Sequence, residues 1–427
     1  KEKALLQNAS IMGLQFYSQI LKKLDEILGS STTIDESLKL FIAKDLILDE
    51  SGGKYGFKSA IARDVIYEAI LKSNRKVLHL EVGNIIEEEF ADNLDLFYYD
   101  LAGHFFEGEG YDKAVIYLEK SAEKSRELYD NKLTSEFYSK LLEIFKNSDY
   151  SGNVVQLEAN KWKVESDKDK HKLDKMLAFQ YGLIDMLIIL GDWDEAKKVA
   201  EETFPLATAH DNTLKISASA LRLGEVYRLK GSLKEGREWL TKGIAHCKAN
   251  SSGKDYLDIM SSLLIRLGSL DIDEGKLDDA ESIFSELDEI IKDVDRPMDK
   301  TSLHHKKGVV SLRLGIMEKA YTEFKASNSL CEAHNFKNQS IQALGNMAVV
   351  NNIQGKYQEA IDIFVKMMEV AEELGDRKST AQTYGNIGLS HMFMKEYASA
   401  ITHFNTQIAI SSKMNDNHSL IVSNNNI

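Results

Sequence analysis

Three short runs constrain this chain more than anything else in it. Gly315-Ile316-Met317-Glu318-Lys319-Ala320 returns as Gly355-Lys356-Tyr357-Gln358-Glu359-Ala360, then as Lys395-Glu396-Tyr397-Ala398-Ser399-Ala400, 40 residues apart each time. A phenylalanine follows each alanine by four: Phe324, Phe364 and Phe404. A period of this length gives a unit too small to bury its own apolar face, so successive units must stack to make a core. Function is therefore sought on a surface built by many units.

The same punctuation extends upstream through Gly110/Ala114, Gly191/Ala196, Gly231/Gly236 and Gly275/Ala280. Twelve residues before each later pivot stands a small residue (Gly224, Gly268, Gly308, Ala348, Gly388), which lets two helices approach closely. Four after the pivot come Leu240, Phe284, Phe324, Phe364 and Phe404, expected to fill the space between consecutive pairs. Only two prolines, Pro205 and Pro297, interrupt the 427 residues, so helices can run almost unbroken. A divergent unit over about 133–166 is read as filling the double-length gap between the first two pivots.

This is the tetratricopeptide pattern, with a period of about 40 instead of 34. Leu344-Gly345-Asn346 and Tyr384-Gly385-Asn386-Ile387-Gly388 resemble the 40-residue subclass of partner-binding scaffolds and bacterial regulators. The expected fold is all-α, a right-handed α-α superhelix over 96–427 of about eight helix pairs plus one truncated repeat. Ser419–Ile427 aligns with Ser379–Ile387 and reads as the start of a further repeat. With no initiating methionine, this suggests a segment of a longer protein.

Residues 1–74 lack the period. Apolar spacing predicts helices over Leu5–Phe16 and Tyr17–Leu28, and Asp35 is placed to cap a third through Lys44. Leu46–Glu50, a Ser51-Gly52-Gly53-Lys54 turn and Tyr55–Lys58 read as strand, turn, strand, followed by a helix over Ala60–Leu71. That is the plan of a small winged-helix domain, joined to the repeats by a connecting helix over 75–95. The run Tyr55–Leu71, with Ala9–Gly13 and Leu101–Ala114, resembles signal-transduction ATPases with numerous domains, in their winged helix and the start of their helical arm. The resemblance implies a C-terminal regulatory arm, an upstream NTPase domain in cis that carries the ATP, and an output such as a class III nucleotide cyclase, a kinase or a DNA-binding activator. Ser59 stands where that family commonly has a nucleotide-sensing histidine, so this role is not carried over. A stand-alone scaffold and a transcription regulator are the alternatives.

Chemistry is scarce. The formal charge of −14 argues against a nucleic-acid or anionic-membrane surface. Lys72, Arg75 and Lys76 lie among acidic residues and read as a solvated helix junction. No phosphate-cradling Gly-x-x-x-x-Gly-Lys-Ser/Thr loop occurs, so no cofactor is expected in this segment. His304-His305 point about 100° apart on a helix, which disfavours a shared metal. His104 beside Phe105 and Phe106 reads as a packed core histidine. Cys247 and Cys331 read as buried fillers of a reduced, cytoplasmic protein. Ile184–Leu190 is too short to span a bilayer. No nucleophile set is present, and this segment is not expected to be an enzyme.

What remains is the concave wall of the superhelix, lined by the first helix of each pair. On its facing positions fall Arg228, Ser262, His305, Gln342, Asn352, Gln382 and Met392, with Asn346 and Asn386 close by. Amides offer donor and acceptor together and suit the main chain of an extended peptide. A protein or peptide in this groove is the expected partner.

Overall fold

The computed structural model describes residues 1–29, 33–146, 155–158, 161–163, 167–249, 253–414, 420–421 and 426. These are nearly all helical, with twenty α-helices and two small sheets among the described residues. They form two compact units, Lys1–His210 and Asp211–Ile427.

The first unit opens with α1 (Glu2–Ile11), β1 (Gln15–Tyr17), α2 (Ser18–Ile27), α3 (Ile34–Ala43), β2 (Ile47–Asp49), β3 (Lys54–Phe57) and α4 (Ala60–Glu68). The helix expected to reach Phe16 stops at Ile11, because Gly13 takes a φ of 115° and turns the chain into β1. The expected two-stranded hairpin is thus a three-stranded antiparallel sheet, ordered β1-β3-β2, with Phe16 opposite Tyr55. Leu5, Phe16, Leu21, Leu38, Phe41 and Ile47 pack together beneath it. Asp35 does not cap α3: it lies in the first turn, and Thr33 is the N-cap, its hydroxyl donating to Glu36 at 2.7 Å.

Next come α5 (Lys72–Glu89), a 3-10 turn (Ala91–Phe97), α6 (Tyr98–Glu107), α7 (Tyr111–Glu127) and α8 (Asn131–Lys146). The divergent unit is not a helix pair among the described residues. After α8 it forms a two-stranded ribbon, β4 (Val155–Glu158) and β5 (Lys161–Lys163), and β5 runs against the last helix of this unit. The unit ends in the pair α9 (Asp167–Leu190) and α10 (Trp193–Ala209).

Among its described residues the second unit contains five helix pairs: α11 (Thr213–Leu229) with α12 (Leu233–Lys248), α13 (Lys254–Glu274) with α14 (Leu277–Ile291), and α15 (Pro297–Arg313) with α16 (Met317–His334). They continue as α17 (Lys337–Ile353) with α18 (Tyr357–Glu373), and α19 (Arg377–Phe393) with α20 (Tyr397–Met414). The turn inside each pair needs a left-handed residue, supplied by Gly231, Gly275, Gly315 and Gly355 at φ of 76–78°. Lys395 takes that place in the last pair at φ 64°. The aromatic residue past each pivot does more than fill the gap to the next pair. A Cβ on Gly308 would lie 2.6 Å from the Phe324 ring, and one on Gly268 2.5 Å from Phe284, so each ring sits flat on its own pair's glycine. Its other side meets the next pair, as Phe324 does Met347 and Val350. The stretch read as a further repeat falls largely outside the described residues.

Candidate functional site

Within the second unit the first helices of consecutive pairs pack on each other more extensively than the second helices do. Helices α11, α13, α15, α17 and α19 therefore share one wall. Polar contacts cross from each of these helices to the next. Glu225 on α11 meets Arg266 on α13 at 3.5 Å, and Arg228 bonds Asp273. On α17 the Asn346 amide lies 2.9 Å from His305 Nε2, and Asn352 accepts from Ser390 on α19 at 3.0 Å.

The position fourteen residues before each pivot forms one column on this wall: Arg222, Arg266, Lys306, Asn346, Asn386. Its first three members are cations and its last two amides. Arg222, Arg266 and Lys306 were missed from the sequence, although the 40-residue step from Asn386 to Asn346 leads on to Lys306 and Arg266.

At the cationic end, Arg228 is bound through Nε and Nη2 to Glu225 at 2.9 and 3.1 Å. Burial pushes the Arg228 guanidinium down, but the bonds to Glu225 and Asp273 outweigh it and hold its pKa above the usual value. Burial would raise Glu225, yet the bond from Arg228 and the charges of Arg266 and Lys306 keep it below the usual carboxylate range. Lys306 makes no ion pair among the described residues. Its ammonium is depressed by burial and by the nearby Arg266 and Arg228.

At the amide end, Gln342 and Gln382 are exposed, Met392 is half-buried, and Asn386 makes no side-chain hydrogen bond among the described residues. His305 rests on Phe324 with ring centroids 5.6 Å apart, and burial lowers its pKa to about 4. It is neutral at pH 7 and holds Asn346 in place. The Ser262 hydroxyl donates to the Asp258 carbonyl of its own helix at 2.9 Å. His304 bonds Glu323 at 2.7 Å. Among the described residues no group of three or more His, Cys, Asp or Glu could hold a metal ion, and no helix is long and apolar enough to cross a membrane. Cys247 and Cys331 are buried free thiols on α12 and α16.

A nearly all-helical array of stacked pairs with one polar wall is a tetratricopeptide-like solenoid. A tetratricopeptide repeat family model matches residues 339–413. No curated protein matches the sequence. Among solved structures, the Rap conjugation gene regulator of plasmid pLS20, in complex with the Phr* peptide, is 17% identical, covers 76% of this chain and 84% of its own, and superposes with a TM-score of 0.50. A Rap protein complexed with competence and sporulation factor is 13% identical over 79% of this chain and 96% of its own, with a TM-score of 0.45. A signal-transduction ATPase with numerous domains and a tetratricopeptide repeat sensor, from Pyrococcus horikoshii, is 13% identical over 99% of this chain, with a TM-score of 0.48. This chain spans 62% of that protein's length.

Proposed function

We propose that this chain is a non-catalytic, regulatory protein-interaction segment whose polar wall holds an extended peptide. The carrying observation is the column from Arg266 and Lys306 to Asn346 and Asn386. The Asn386 amide has no competing side-chain bond among the described residues, and Asn346 is fixed by His305, so both suit main-chain groups of a strand laid across the helices. Lys306, without an ion pair, suits an anionic group on the same strand. That a Rap regulator of the same fold is solved with a peptide illustrates what such a solenoid can hold.

We further propose that residues 1–74 form a winged-helix domain docked on an upstream NTPase domain that carries the ATP, in a cytoplasmic bacterial signalling protein. Support comes from the order of helices and strands through α4 and from the resemblance of Tyr55–Leu71. Occupancy of the groove would then bias closed against open arrangements. A cyclase or kinase output rests on that resemblance alone.

The test is a random-peptide display library panned on this chain. Enriched sequences are expected to lose binding to Asn386→Ala and to Arg266→Ala, at an unchanged melting temperature. Enrichment indifferent to both changes would place the interaction elsewhere.

A further inference from the structure

The first unit holds a cavity of about 300 Å³, within the range of small-molecule sites. Its apolar lining includes Ile20 and Ile86, both buried, and Tyr17 and Phe97, whose rings meet edge-on at 6.1 Å. Its polar lining includes Gln15, Lys54, Asp100 and His104. Asp100 and His104 are four residues apart on α6 and so share a face. Lys54 comes from β3, directly opposite Tyr17 in the strand register.

We propose that this cavity binds a small apolar α-amino acid as its zwitterion, with the ammonium on Asp100, the carboxylate on Lys54 and His104, and the side chain over Ile20, Ile86 and Phe97. Desolvation raises the Asp100 carboxyl and the field of Lys54 partly offsets this, yet the two groups form no ion pair among the described residues and so both face the apolar space. Lys54 has one loose partner, Glu50, at 3.9 Å. Glu50 is itself engaged by the Gln15 amide at 2.8 Å, which leaves the Lys54 ammonium donors to offer.

The proton on His104 follows from a chain of hydrogen bonds. Arg63 and Arg75 lie over the Tyr67 ring at 4.7 and 4.9 Å, and a cation over the ring strengthens its hydroxyl as the donor to His79 Nε2 at 3.0 Å. His79 then carries its proton on Nδ1 and donates to His104 Nδ1 at 2.9 Å. His104 is left with Nε2–H, a neutral donor for the cavity. Burial keeps both rings uncharged at pH 7, with His79 lowered to about 4 and His104 to about 3. A bound carboxylate extends this chain toward the helix junction at Tyr67 and Arg75. The site is independent of the groove reading.

Isothermal titration of this chain with L-leucine and L-phenylalanine is the test, against 3-phenylpropionate, which lacks the ammonium, and phenethylamine, which lacks the carboxylate. Saturable 1:1 binding of the amino acids is expected, with each single-charge analogue weaker by about tenfold or more, as for one lost charge-assisted bond. Asp100→Asn should weaken L-phenylalanine about tenfold and leave 3-phenylpropionate unchanged, and Lys54→Met should spare phenethylamine, by the same reasoning. Asp100 is exposed and Lys54 half-buried, and an unchanged melting temperature certifies the fold of each variant. No saturable heat, analogues that bind as tightly as the amino acids, or variants that leave the amino acids unaffected would overturn the proposal.

Discussion

The pairs from Lys254 to Met414 and the stretch before Asp130 hold themselves together differently. In the repeats one contact recurs: a ring lies on a glycine of its own pair, as with Phe284 on Gly268, Phe324 on Gly308 and Phe404 on Gly388. Before Asp130 each contact occurs once. Phe16 packs between Tyr55 and Phe57, Phe90 stacks on Phe97 at 4.1 Å, and His79 bonds His104. Gly83 does borrow the repeat solution, with Phe105 2.9 Å from where its Cβ would stand. Repetition lets the solenoid lose one contact locally, whereas an unrepeated contact has no substitute nearby.

That contrast can be broken most sharply at a glycine. Gly308→Val should cost about 3 kcal/mol, because the new side chain overlaps the fully buried Phe324 ring and neither helix backbone can yield. Urea unfolding should show this loss, and hydrogen exchange should place it in α15 and α16. A cost below about 1 kcal/mol would mean that the pairs are looser than this packing implies.

His104→Leu comes next. It leaves the His79 Nδ1–H buried without its acceptor and should cost about 2 kcal/mol. The pH dependence carries the same comparison. His79 and His104 titrate lower in the folded chain than unfolded, so between about pH 4 and the unfolded value near 6.5 the unfolded chain binds more protons. Their contribution is therefore present above pH 6.5 and lost as pH falls toward 4. Exchange rates in α5 and α6 should rise over that window more than those in α17–α20, which hold no histidine lowered as far. Equal acceleration in both would remove the histidine pair as the cause.

Two smaller effects sharpen the view of the repeats. Lys395→Gly should stabilise the last pair by about 1 kcal/mol, since it relieves the left-handed backbone where the other four pairs of the second unit have glycine. Asn352→Ala should cost about 0.5–1 kcal/mol by removing the bond from Ser390. Thermal melts resolve the first, and a double-mutant cycle with Ser390→Ala resolves the second.

Much of the repeat array was legible in residue order. Periodicity places Gly315, Ala320 and Phe324 without knowledge of any partner, because every unit faces the same neighbour and the same constraint. The extra four residues between Gly236 and Ala280 are equally visible, and α13 absorbs them as a helix of 21 residues where α15 has 17. Strand β1 escaped because three residues are too few for alternation to show, and they pair with a strand about 40 residues away. The ribbon after α8 escaped for the same reason of length.

The sequence by itself determined that these helices stack and where the close glycines lie. Only the tertiary structure decided what the side chains on the shared wall do: that Arg228 is bound up with Glu225 and Asp273, that His305 holds Asn346, and that Lys306 has no ion pair among the described residues. It alone brought His79 against His104 and set Lys54 across a cavity from Asp100. The reason is physical. Apolar burial is non-directional and leaves a periodic trace in residue order, whereas a hydrogen bond or ion pair depends on angstrom-scale distances between residues far apart in the chain.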